Sequence, residues 1–106
     1  AGFVEVDKET CRHSRFPNVF SLGDCSSLPT SKTYSAIASQ APVVVHNVMA
    51  TLAGEPEKAA AAYDGYTACP VLVGGNKLLL AEFSGYTQGP LPTFWPLDQT
   101  KPSTLF

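Results

Sequence analysis

Between residues 33 and 54 the chain carries no Asp, Glu, Lys or Arg, a run of 22 uncharged residues. Tyr34, Ile37, Ala38, Ala41, Val44, Val45, Val48, Met49 and Leu52 recur along it at helical spacing, where a strand would alternate. A run of this length also reaches the span of a bilayer. Its content argues otherwise: Ser35, Ser39, Gln40, His46, Asn47 and Thr51 are too polar, and Pro42 interrupts the middle. The pattern predicts one long helix, about 33–53, buried inside a larger protein. Thr30 or Ser31 is the expected cap, and Pro42 is expected to kink the helix or force a local rearrangement.

The rest of the composition narrows the class. The 106 residues allow one domain. Only 15% are charged, against roughly 25% in an ordinary soluble domain, so much of the surface is expected to be covered. A net charge of −2 without a basic stretch excludes an electrostatic grip on nucleic acid. The 44% hydrophobic content with so small a net charge excludes disorder. The chain opens on Ala1-Gly2-Phe3-Val4 without an initiator Met, and it stops on Leu105-Phe106 after four prolines. It reads as a single domain or an excised fragment.

Residues 3–6 alternate as a short strand, and residues 7–14 form a polar turn region. Phe16-Pro17-Asn18-Val19-Phe20-Ser21-Leu22 is apolar enough to be a strand buried on both faces, and it stops at Gly23-Asp24-Cys25. After the helix, residues 55–62 form a charged, Ala-rich connection. Strands at 71–73 and 77–83 then flank Gly74-Gly75-Asn76, residues that tolerate positive φ in a hairpin turn. Beyond Gly85 the chain is a Pro-rich arm. The expected fold class is α/β, as an α+β fragment: short strands, one long buried helix about 33–53 and a β-hairpin about 71–83.

A strand ending in Gly-Asp before a helix is a place to hold a ligand's hydroxyls and anion. Gly23 lets backbone approach closely, the Asp24 carboxylate accepts from hydroxyls, and the helix start offers unpaired N–H groups. The same Gly-Asp pair also makes an ordinary turn. Cys11, Cys25 and Cys69 are odd in number and lack a Cys-x-x-Cys spacing, which argues against a disulfide framework and a structural zinc. With only His13 and His46 beside them, no metal constellation assembles. Each cysteine taken alone reads first as a small buried apolar residue. A reactive cysteine needs a cation or a helix N-terminus to stabilise its thiolate. Lys32 and the helix it opens are candidates for that, although a lysine there also serves as a solvated surface residue. Glu82 is either an acid near the site or the wet face of a strand.

The order of these segments adds a resemblance. Pro17-Asn18-Val19-Phe20-Ser21-Leu22-Gly23-Asp24 resembles the second flavin-binding motif of the two-dinucleotide-binding-domain flavoproteins. Four further stretches are similar to the sulfide:quinone oxidoreductase family, in its order. They are Gly23-Asp24-Cys25-Ser26-Ser27-Leu28-Pro29-Thr30-Ser31-Lys32-Thr33, Tyr63-Asp64-Gly65-Tyr66-Thr67-Ala68-Cys69-Pro70, Leu80-Ala81-Glu82-Phe83 and Pro96-Leu97-Asp98-Gln99-Thr100-Lys101.

The resemblance implies an FAD enzyme that oxidises hydrogen sulfide through a cysteine pair and passes the electrons to a membrane quinone. It implies Asp24 as the flavin-binding acid, with Gly23, Lys32 and Thr33 beside the cofactor, and Cys69 as one of the two redox cysteines. The other redox cysteine, the Gly-rich first FAD motif and the membrane-docking segment of the family's pattern would lie outside this chain. Residues 1–54 would then end an FAD-binding domain and 55–106 begin a C-terminal domain, both completed by the N-terminal remainder of the parent. The parent would sit peripherally on a bacterial or mitochondrial inner membrane. The 106-residue chain alone would be soluble and inactive, holding FAD weakly or not at all. Two alternatives remain open: another flavin oxidoreductase (an NADH:quinone or a flavocytochrome-type sulfide dehydrogenase), or a non-catalytic binding module with this fold.

Overall fold

A computed structural model describes residues 2–86 and 90–104. Among them are one α-helix, α1 (Tyr34–Leu52), and a two-stranded antiparallel hairpin, β1 (Thr67–Gly74) and β2 (Lys77–Phe83). Short 3-10 turns at Gly23–Cys25 and Pro56–Lys58 flank the helix. This is the expected α+β fragment. Its Cα radius of gyration is 16.3 Å, against about 13 Å for a compact domain of this length, so the helix and hairpin lie along an elongated body.

α1 begins and ends within a residue of its expected limits. The cap is Thr33 itself rather than Thr30 or Ser31: extended at ψ 159°, its side chain accepts from the Ala36 N–H. The helix runs unbroken through Pro42. The face it buries in this chain differs from the stripe of large apolar side chains. Ala36, Gln40, Val43 and Asn47 are buried, whereas Tyr34, Val45, Met49 and Leu52 are exposed. The residues too polar for a membrane are therefore what fasten α1 to its neighbours. Asn47 Nδ2 donates to the carbonyls of Thr10 (2.9 Å) and Ala61 (3.1 Å), and its Oδ1 accepts from the Ala61 N–H (3.0 Å). No helix among the described residues is long and apolar enough to cross a membrane.

The amino-terminal segments do not form the expected strands. Residues 3–6 and 16–22 make only single-residue bridges, Val4 with Ser26, Val6 with His13 and Arg12 with Phe20. Phe16 and Val19 are exposed, so this stretch is not buried on both faces. The turn at Phe16-Pro17-Asn18, closed by the Val19 N–H on the Phe16 carbonyl, consumes residues that a strand would need. What these segments bury is a small core. Cys11, Leu28, Val43 and Tyr63 meet there, with Val6, Val44, Ala61, Tyr66 and Tyr86 against them.

The hairpin turns where Gly74-Gly75-Asn76 requires it, with Gly74, Gly75 and Asn76 all at positive φ. β1 starts four residues earlier than the apolar pattern suggested, because Pro70 hides the alternation. Its place in the register explains why a proline is tolerated. In β2 the N–H groups of Leu78 and Leu80 point away from β1, to the carbonyls of Ser103 and Gln99. Leu80 faces Pro70, so Pro70 occupies a position where no N–H is asked of it by β2. The Pro-rich arm folds back along the outer edge of β2, closing it with the Leu78–Ser103 bridge and the Leu91 N–H on the Glu82 carbonyl.

Candidate functional site

The Gly23–Cys25 turn is held from behind by two side chains. Gly23 has φ +75°, the left-handed conformation that favours glycine, and its buried N–H donates to Gln40 Oε1 at 2.8 Å. Lys32 Nζ donates to the carbonyls of Ser26 (2.9 Å) and Leu28 (2.8 Å), while lying 5.3 Å from the Phe3 ring centre. One residue of α1 and one residue before it thus fix both sides of the loop. Asp24 projects from this turn and is exposed; among the described residues its carboxylate has no hydrogen-bond partner.

The helix start lies next along the chain. Because Thr33 Oγ1 takes the Ala36 N–H, the N–H groups of Tyr34 and Ser35 are left without intrahelical partners. Thr33 Oγ1 also meets Thr67 Oγ1 at 2.8 Å, and Thr67 Oγ1 reaches the Ser31 carbonyl at 3.3 Å. One set of directions satisfies all three: Thr33 donates to Thr67, Thr67 donates to Ser31, and a Thr33 lone pair serves Ala36. Thr67 is the first residue of β1, and period-2 geometry puts Cys69 on the same face of the strand, about 7 Å further along. The helix start and the cysteine strand are therefore tied together at one hydroxyl pair.

The three cysteines sit in different surroundings. Cys11 is wholly buried; desolvation, with Asp7 adding to it, pushes its thiol up to about 11, so it stays neutral and inert. Cys25 is exposed in the turn, with Sγ 3.4 Å from Ser21 Oγ. Cys69 is exposed, and among the described residues its Sγ has one hydrogen bond, to the Pro70 carbonyl at 3.9 Å. Two of the three Lys32 ammonium hydrogens are engaged on the loop carbonyls, and no hydrogen bond joins Lys32 to Cys69 among the described residues. The helix start is tied to the Cys69 strand through Thr33 and Thr67.

Behind the hairpin is a cluster that the sequence reading did not assemble. Glu82 is 7% exposed, so it is not on a wet face. It accepts from Tyr66 Oη (2.5 Å), from Gln99 Nε2 (2.7 Å) and from the Thr93 side chain. Burial works to raise its pKa, but these three donors outweigh burial and hold it below its ordinary value. The bond to Glu82, then burial and the nearby charge, push Tyr66 up to about 12. The signal for this cluster was present in the sequence. Tyr66, Glu82 and Gln99 come from three of the stretches that carried the family resemblance.

Comparison with known proteins finds close relatives of this segment. The chain is 52% identical over 110 residues to the mitochondrial sulfide:quinone oxidoreductase of Schizosaccharomyces pombe. It is 48% identical over 101 residues to that of Mus musculus and 48% identical over 103 residues to that of Dictyostelium discoideum. These matches cover 95–100% of the chain. Over nearly its whole length the chain is homologous to sulfide:quinone oxidoreductases. It spans 22–23% of the length of these relatives, in their C-terminal part. No family model matches it. Among solved structures it is similar to a chain in the cryo-EM structure of the Tetrahymena thermophila mitochondrial ATP synthase. That likeness has 36% identity and a TM-score of 0.77 over 83% of this chain and 21% of the other. In this chain the Gly23–Cys25 turn, the start of α1 and the Cys69 strand are joined through Gln40 and the Thr33–Thr67 pair.

Proposed function

We propose that this segment grips FAD and presents one redox cysteine in an enzyme that oxidises sulfide and reduces quinone. Residues 1–54 complete the FAD-binding domain and residues 55–106 begin the C-terminal domain. The observation that carries the reading is the Thr33–Thr67 hydroxyl pair, which joins the exposed Asp24 turn and the helix start to the strand of Cys69.

The residues fit the cofactor. A carboxylate without a partner among the described residues, on a turn backed by buried hydrogen bonds, can accept from the ribityl hydroxyls. The free N–H groups of Tyr34 and Ser35, with the partial positive charge of the helix start, favour an electron-rich ring edge. Gly23 keeps the backbone close, and Lys32 and Thr33 hold loop and helix start in register. When bound, FAD supplies two-electron redox chemistry. Cys69 forms half of a bridge with a cysteine outside this chain. Attack of hydrosulfide on that bridge makes one S–S bond and breaks another, leaving a persulfide on one cysteine and a thiolate on the other. The relatives' mitochondrial names support a mitochondrial setting, and the resemblance adds contact with the inner membrane through segments other than α1.

The test is Asp24→Ala in the full-length protein. Loss of hydrogen bonds to a charged acceptor, worth about 1.5–3 kcal/mol, is expected to weaken FAD binding at least tenfold. Flavin content equal to the unaltered protein removes Asp24 from the site. A second reading, a module that keeps the fold but serves an assembly, has the solved chain of the ATP synthase structure in its favour. A full-length protein purified without flavin, and unable to take it up, would favour that reading.

A further inference from the structure

We propose that Glu82 is a positioning residue for Cys69, holding the strand behind the sulfur so that the cysteine keeps its place relative to the helix start. The proposal rests on Cys69 being the redox cysteine. Glu82 lies directly across from Ala68, one residue before Cys69. By strand geometry Tyr66, Ala68 and Glu82 share one face of the hairpin, and Thr67 and Cys69 share the other. The Glu82 carboxylate grips the back face through Tyr66, and the Thr33–Thr67 pair grips the front. Cys69 comes two residues after Thr67 and one after Ala68, the residue that faces Glu82. From Cys69 onward β1 is exposed.

The need for such a grip follows from the hairpin's size. Two strands alone are marginal in water, and β1 has no second neighbour on its outer edge among the described residues. A carboxylate suits the task because each hydrogen-bond partner it has among the described residues is a donor: the hydroxyls of Tyr66 and Thr93 and the amide of Gln99. No cation pairs with Glu82 among the described residues, so the charge is held by neutral donors alone. An amide at this place would turn one acceptor into a donor and set it against them.

The test separates the two half-reactions in the full-length, flavin-loaded protein by anaerobic stopped flow. Glu82→Gln is expected to slow flavin reduction by sulfide about 10- to 100-fold, the cost of a misplacement near 1 Å. Reoxidation of the dithionite-reduced flavin by quinone, and flavin content, should be unchanged. Tyr66→Phe, a milder change, is expected to slow the same half-reaction to a smaller degree, and it decides the matter if Glu82→Gln does not fold. Amide exchange should quicken at residues 67–69 while α1 is unaltered. If both half-reactions slow together, or neither does, Glu82 has no positioning role. Cys69→Ser is run alongside: if it still reduces flavin with sulfide, the reading beneath this inference is wrong. If it does not, while Glu82→Gln and Tyr66→Phe react at the unaltered rate, the inference alone fails.

Discussion

Gln40 sits 17 residues from the turn it supports and offers a direct test of how the Asp24 loop is held. Gln40→Leu keeps roughly the same volume in a buried place and removes the acceptor of the Gly23 N–H. Gly23 is itself buried, so its donor cannot find water without the turn moving outward. A buried N–H left without a partner costs about 1–3 kcal/mol. In the free protein the turn escapes that cost by opening. In the flavin complex it must close again, so the cost appears in the binding equilibrium. A penalty of that size is a rise in Kd for FAD of about 5- to 150-fold. Flavin is removed from the full-length variant, and the apoprotein is titrated with FAD by fluorescence quenching. Helix content by circular dichroism should hold, because Leu is as good a helix former as Gln. A Kd equal to that of the unaltered protein, with Asp24→Ala still weakened, would refute the argument that the turn's geometry depends on Gln40.

Two further outcomes follow from buried polar groups. Asn47→Ala leaves the Thr10 carbonyl and both backbone groups of Ala61 without their partner. It should destabilise the full-length protein by about 2–4 kcal/mol, offset slightly by alanine's helix propensity, as read by thermal or urea unfolding. Because the folded-state pKa of Glu82 is depressed, its contribution to stability is present above the ordinary glutamate range and is lost as pH falls through the folded value. Unfolding profiled from pH 7 down to pH 3 should show a shallower acid limb in Glu82→Gln than in the unaltered protein.

Some of this was legible in the residues and some was not, for physical reasons. The uncharged run gave α1 within a residue at either end, since the period is local, although the cap proved to be Thr33 in place of Thr30 or Ser31. Local information did not say which face would be buried. The large apolar side chains suggested one stripe, while Gln40 and Asn47 on the adjacent stripe bury themselves to satisfy loop backbone. The hairpin turn was legible in Gly74-Gly75-Asn76, and the early start of β1 was not, because a proline at an outward-facing position looks like a break. Residues 16–22 read as a strand from composition, yet pairing depends on a neighbour the sequence cannot supply. Gly23 and Asp24 were marked by motif. Lys32 was marked as well, but its part as a support of the loop was not, and Gln40 becomes visible as a support only when the helix meets the turn. Glu82 reversed its expected place, from a wet face to a buried hub, because its three donors come from two other segments.

The claim that Cys69 belongs to the reacting centre meets its most direct test in Cys69→Ser. The measurement is sulfide-dependent quinone reduction by the full-length protein, with bound flavin quantified in the same preparation. The expected result is loss of turnover with flavin content retained, because Asp24, Gln40 and the helix start are untouched. Cys11→Ser and Cys25→Ser, assayed beside it, should turn over nearly as the unaltered protein does. Turnover by Cys69→Ser at the unaltered rate would contradict the assignment, and with it the reading of sulfide as the substrate.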